Sequence, residues 1–341
     1  MRNLLFSSLV VLTLAVAVVA QTSPMSQSTD NTTITAGNTV ACVTTAAPQY
    51  HAVNSFIRAY TPSAEGINFP IDVTCIGFGL EYALAGAAAN PVGTQPATIN
   101  LYIDDPAAPV FPGALPGPPV ATQAVVLNDT PATGGVLLTQ GITTPVTITP
   151  NQILIVEFFL PDGIAPQNIA FVASNAAGET APSYLMSAGC GTPTPTPYAA
   201  IGFPTVNLIL DVHWNQTGLT PPPAVTFNLG TPNATTGETP FTVVNDQLTP
   251  GNEYFNFYSF SLCPGGPGTG PYLGMCYPNF NDLVTQFQTP LGIFPLHWIA
   301  DNCRMESPEY SFPTGLAFEV ICVDLTGGQL VGNSQVVFVQ F

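Results

Sequence analysis

The feature that most limits what this chain can become is its punctuation. From about residue 39 to the end, short apolar runs, many with a period of two, are cut by glycine, proline, asparagine or aspartate within about a dozen residues. The 30 glycines and 36 prolines leave no room for long helices. The run 71–84 shows the pattern. Ile76, Phe78, Leu80, Tyr82 and Leu84 occupy alternate positions, with Asp72 and Thr74 opening the same face at its end, so one face is buried. Gly77 and Gly79, between them, predict a bulge or the close crossing of another backbone. Similar reasoning predicts strands at 55–60, 97–103, 121–127, 152–160, 169–174 and 205–214. In the second half it predicts them at 225–229, 241–244, 254–262, 293–299, 316–323 and 335–341. One helical turn is predicted at 282–287, where Leu283 and Phe287 lie four apart.

These elements predict an all-β chain of two β-sandwich domains, the first (39–214) jelly-roll-like and the second (225–341) a smaller Ig-like sandwich. Residues 215–224, with Pro221-Pro222-Pro223, read as a Pro-rich linker, and Pro193-Thr194-Pro195-Thr196-Pro197 as a surface loop. Residues 21–38 carry Ser, Thr, Asn and Gln with little to bury and read as a flexible leader. Residues 1–20, with Arg2 ahead of an apolar run, read as a secretory signal peptide. No later stretch is a membrane-spanning candidate, so the expected product is secreted, extracellular or cell-surface, with no membrane insertion after signal removal.

Charge narrows the partners. Twenty acidic residues face three cations, all arginines (Arg2, Arg58, Arg304), for a formal net charge of −17 and no lysine. Such a surface cannot neutralise a run of phosphates, which excludes nucleic acid and anionic lipid as electrostatic partners. Seven cysteines in an exported chain read as disulfide material. Cys42 and Cys190 sit near the two ends of the first domain and are expected to tie them. The four cysteines of the second allow three connectivities, of which Cys263–Cys276 with Cys303–Cys322 is the one expected, while Cys75, inside a strand-like run, reads as a buried free thiol unless a cysteine pairs across the domains. There is no CxxC, and His51, His213 and His297 are dispersed, so no zinc site is expected.

Several phrases carry a resemblance. They are Asn54-Ser55-Phe56-Ile57-Arg58-Ala59-Tyr60, Ile76-Gly77-Phe78-Gly79-Leu80-Glu81, Asn100-Leu101-Tyr102, Ile155-Val156-Glu157, the stretch 174–184 and Ala200-Ile201-Gly202-Phe203-Pro204. Together they resemble a recurrent, uncharacterised β-sandwich module of secreted and cell-surface bacterial proteins, over residues 40–214. The resemblance implies a β-sandwich on the cell exterior and supplies no catalytic residues.

Among candidate sites, Arg58 is the only cation of the first domain and is expected to pair with Glu81 or Glu157, which also sit in apolar strands. Those two carboxylates are also the only residues weighed as a glycosidase pair, a reading set well below the structural one. Asp104-Asp105 and Asn128-Asp129 are oxygen-rich enough to suggest Ca2+, but lack EF-hand spacing and read first as acids ending strands at turns, so no cofactor is expected. The run Tyr254 to Phe260 carries aromatics on both faces, with Tyr254, Tyr258 and Phe260 on one and Phe255 and Phe257 on the other. If one face is open, Tyr254, Tyr258 and Trp298 become stacking residues for a sugar. The expected function is a non-enzymatic extracellular structural or adhesion protein. The alternatives are a carbohydrate-binding module and, lowest, a glycoside hydrolase; the partners considered are a polysaccharide or another cell-surface or matrix protein.

Overall fold

The computed structural model describes residues 24–86, 93–130, 134–219 and 221–341. The expected signal peptide lies outside them. The chain is 47% strand, in several antiparallel sheets.

In the first half the strands are β1 (Asn54–Tyr60), β2 (Ile71–Leu84), β3 (Thr94–Asp104), β4 (Ala121–Asn128), β5 (Val136–Ile148) and β6 (Ile153–Leu160). They continue with β7 (Ile169–Val172), β8 (Ser174–Asn175), β9 (Tyr184–Ser187), β10 (Thr192–Pro197), β11 (Asn207–Leu208) and β12 (Leu210–Gln216). One sheet has the order β10-β9-β1-β6-β3-β4; another has β12-β2-β5, with β7 also paired to β2; β11 and β8 form a short ladder. Phe56, Tyr60, Ile99 and Phe158 of the first sheet share one apolar cluster with Val73, Ile76, Phe78 and Val212 of the second.

The glycines of β2 mark two irregularities. The ladders of β2 shift between Val73 and Cys75, so Ile71 and Val73 reach the same core as Ile76, Phe78 and Leu80 despite the change of parity. Asp72 and Thr74 therefore do not open the buried face as the unbroken alternation predicted. At Gly79 a Cβ would lie 2.6 Å from that of Ala173, and the Gly79 backbone bonds both Ile209 and Ala173, which is the expected close crossing.

Three segments depart from the sequence reading. Strand β5 was not predicted, because Gly141 and Pro145 interrupt its pattern; it is an edge strand, where a missing ladder donor is tolerated. The Thr-Pro repeat expected as a loop is β10, for the same reason an edge strand, paired to β9. Residues 24–38, part of the expected flexible leader, are tied down: Met25 is buried and exchanges backbone bonds with Val212, and Thr29 donates to Gly178.

The second half contains β13 (Ala224–Leu229), β14 (Glu238–Asp246), β15 (Glu253–Ser259), helix α1 (Phe280–Phe287), β16 (His297–Ile299), β17 (Met305–Glu306), β18 (Tyr310–Pro313), β19 (Ala317–Asp324), β20 (Gly332–Asn333) and β21 (Val337–Gln340). Strand β14 pairs β13, β17 and β18; the other sheet runs β16-β15-β19-β20, with β21 on β19. One face of β15 and β19, with Tyr254, Phe318 and Val320, packs on Val225, Phe241 and Val243 of β13 and β14. The opposite face, with Phe255, Phe257, Ile321 and Val323, packs on Met275 and on Leu283 of α1. Leu283 is the buried residue of α1, and the Phe287 ring lies 4.6 Å from that of Phe257, so the i and i+4 pair does seat the helix as its spacing predicts.

The disulfides are Cys42–Cys190, Cys263–Cys276 and Cys75–Cys303. The first and second follow the sequence reading. The third corrects it: Cys75 is not free, and Cys303 does not pair with Cys322, which is the buried thiol. Cys322 lies in the middle of β19 opposite Asn256, whereas Cys303 lies in a loop laid across β2. Gly141 permits that approach, since a Cβ there would meet the Asp301 carbonyl at 2.9 Å; its amide donates to Asn302 Oδ1 at 2.6 Å. Three disulfides mark an oxidising compartment. Among the described residues no helix is long and apolar enough to cross a membrane.

Candidate functional site: an aromatic groove beside β15

The sequence-predicted residues separate. Arg58 alternates with Phe56 and Tyr60, so it points into the core and is 0% exposed. Its ion-pair partner is Glu179, 3.3 Å away, and not Glu81 or Glu157. Parity explains the correction for Glu157, which lies opposite Ile57 and therefore on the other face of the sheet. There it accepts from Ser55, Asn100 and Tyr102, the last two at 2.8 and 2.7 Å. Glu81 instead accepts from the amides of Gly37 and Thr39. The two acids weighed as a glycosidase pair thus sit on different sheets, each held by its own donors. Besides Glu179, Arg58 donates to the carbonyls of Leu208 and Ala181 and to Gln27 Oε1, which stitches β11 and the 24–38 segment to β1. Glu179 lies in the stretch 174–184 that contributed to the resemblance, but it stands between Gly178 and Thr180 in a run with no apolar alternation, so no strand pattern pointed to it.

The acids considered for Ca2+ are occupied by backbone. Asp104 accepts from Asp105, Val110 and Phe111, and Asp129 from Ala85 and Gly93, which is how an acid closes a turn. Among the described residues no group of three or more His, Cys, Asp and Glu is placed to hold a metal ion.

Of the three predicted stacking residues, Tyr254 and Trp298 are core, 1% and 2% exposed, and stack on each other at 5.9 Å. They are corrected from ligand contacts to packing residues. Tyr258 is different. It lines a cavity of about 680 Å3 together with Phe260, Tyr277, Phe294, Tyr310 and Phe312. That volume lies within the range of small-ligand sites.

The groove exists because β15 loses a neighbour. Strand β16 covers only Glu253, Tyr254 and Phe255; beyond them one edge of β15 has no strand partner. Gln286 of α1 takes that place at Tyr258, accepting from its amide at 2.8 Å and donating to its carbonyl at 2.7 Å. The cross-strand neighbour is thereby replaced by a single side chain, and space opens between β15, β18 and the Phe294-Pro295-Leu296 turn. Opposite, Phe241 of β14 packs against Phe312 at 5.1 Å and Tyr310 at 5.8 Å, and Phe312 stands edge-on to Phe318 at 88°. Tyr310 and Phe260 are the open rings, 39% and 60% exposed.

The polar groups along this wall are largely engaged. Asn256 is paired reciprocally with Asn245 at 2.9 Å, Ser259 donates to the Cys276 carbonyl and accepts from the Ser261 amide, and Gln286 is spent on Tyr258. Burial raises the Tyr258 and Tyr277 hydroxyls above the usual tyrosine value, so both are neutral donors rather than phenolates. The groove therefore offers ring faces first and a few hydroxyls at its margin. Tyr310 and Phe312 were not singled out from sequence because β18 is four residues long and ends in proline, too short to show a period. No protein-family model matches this chain, and no curated protein compared with it is significantly similar in sequence.

Proposed function

We propose that this chain is a secreted, non-catalytic extracellular protein of the adhesion type, built of two β-sandwich domains joined near 215–224, with the aromatic groove as its binding surface. The observation that carries the reading is the gap beside β15, where open aromatic rings line a ligand-sized cavity. Disulfide clamping and a surface with few cations support an extracellular setting. The jelly-roll-like and Ig-like descriptions of the two domains rest on their two-layer packing and belong to the same proposal.

A carbohydrate is the second reading, favoured by the exposure of Tyr310 and Phe260 as flat platforms for the apolar face of a sugar ring. In that reading the stacking residues are Tyr258, Tyr310 and Phe260. A glycan array with polysaccharide pull-down on wild type and Tyr310→Ala tests it. Glycan binding that falls tenfold or more in Tyr310→Ala, with unfolding midpoint unchanged, supports sugar recognition in the groove. No binding to any glycan removes the carbohydrate version and leaves the structural one; binding that Tyr310→Ala does not weaken removes the groove from it.

A further inference from the structure

The side chains around the aromatic groove select a ligand by charge as well as by shape. Four large ones on its walls stay open to water: Phe260 (60% exposed), Ile293 (46%), Tyr310 (39%) and Leu296 (38%). Two are rings, from β18 and the end of β15, and two are aliphatic, from the turn 293–296. Open apolar side chains gathered around one concave site mark a ligand that is itself largely apolar.

No arginine or histidine side chain lines the groove, and the chain has no lysine. The arginine of this half, Arg304, is held by Asp246 at 3.6 Å and is not among the lining residues. The one charged side chain that lines it is Asp282, in the first turn of α1, whose Oδ2 accepts from Asn279 at 3.1 Å. An anion entering here leaves water, gains no counter-charge and meets a carboxylate, so a phosphate or carboxylate head is disfavoured. The amide side chains are no more available, since Asn256 is bonded to Asn245 and Gln286 to the Tyr258 backbone. A ligand dense in hydroxyls would give up water without regaining partners from them. Ser261 and Ser311 line the site as well and can meet a single hydroxyl or ester.

We propose that the groove binds a single-chain amphiphile with an uncharged head, its alkyl or acyl chain lying along Phe260, Tyr310, Ile293 and Leu296 and its hydroxyl or ester head at the water-facing side. The proposal rests on the groove being the binding surface and adds the class of its ligand. An open-sided groove suits such a molecule, because the head keeps its water while the chain loses it.

The test is an NMR titration of the full chain at pH 7.5 with 1-butanol, 1-hexanol and 1-octanol, each below its solubility limit. Octanoate is the anionic control and methyl glucoside the hydroxyl-rich one. The expected result is saturable octanol binding that shifts the Ile293 methyl signals, with affinity rising about two- to fourfold per methylene along the series. Octanoate should bind at least tenfold more weakly than octanol and regain several-fold in Asp282→Asn. Tyr310→Ala and Leu296→Ser should each weaken octanol at least threefold; both replace partly exposed side chains and are expected to fold. Any of four outcomes overturns the proposal: no saturable octanol binding, affinity independent of chain length, octanoate binding as well as octanol, or octanol affinity unchanged in both wall variants. Methyl glucoside binding without octanol binding would remove the amphiphile and keep the groove as a binding surface, whereas groove signals that respond to neither the alcohols nor any glycan would remove both.

Discussion

In the N-terminal region two sheets enclose one large apolar cluster reaching from Met25 to Trp214, with only a small second one, Ile57, Tyr102 and Ile155, on the outer face of β1, β3 and β6, and the one buried cation is satisfied on every side. In the C-terminal region the core divides into two clusters, one on each face of β15 and β19, and an aromatic-lined cavity opens where β15 runs past its neighbour. The contrast shows two ways of closing the edge and end of a β-sheet. The first region spends backbone carbonyls and a guanidinium, which fixes a rigid body with no slack. The second spends one glutamine side chain on an unpaired strand edge and leaves room beside it. The second arrangement leaves a cavity that can be filled without moving a core residue.

The largest effect is expected in the region without slack. Arg58→Met should cost about 3–5 kcal/mol of unfolding free energy in denaturant titration, because it leaves the carbonyls of Leu208 and Ala181 without their donor and the Glu179 carboxylate without its charged partner. A variant as stable as wild type would show that apolar packing alone closes this core, and the contrast with the C-terminal region would fail. Next comes the link between the regions. Replacing Cys75 and Cys303 together by serine and alanine should cost about 2–4 kcal/mol and separate the unfolding of the two halves in calorimetry. A single transition at the wild-type midpoint would mean that the contacts of Gly141 and Thr139 suffice to couple them. The smallest effect is expected at the groove. Gln286→Leu retains the bulk of the side chain but deprives the Tyr258 amide and carbonyl of partners, at about 1–3 kcal/mol. Hydrogen exchange at the Tyr258 amide should rise well above that at Phe257; equal protection at both would show that Gln286 does not hold this edge.

Much of the strand inventory was legible because short apolar-rich runs bounded by turn residues mark strands: β1, β2, β6 and β19 are each buried along most of their length. Edge strands were harder. In β5 and β10, proline and threonine mask the period, and edges tolerate both because only one side of the strand needs a partner. Of the groove, Tyr258 was visible as an aromatic in a strand, while Tyr310, Phe312 and Gln286 were not, since they come from two other elements, β18 and α1, that only folding brings together. The same holds for Asp211. Its strand was recognised, but Asn31, whose side chain bonds it, lies 180 residues away.

The sequence by itself determined that the chain is β-rich and antiparallel in character, that its cysteines are disulfide material, and that it has almost no positive charge to offer. Each of these follows from local spacing and composition, which act over a few residues or over the whole surface. The tertiary structure decided which acid meets Arg58, which cysteine meets Cys303, and which tyrosines are buried. Those are questions of parity and of contact across 100 residues or more, and a single bulge at Cys75 or a strand that begins only at His297 is enough to change the answer.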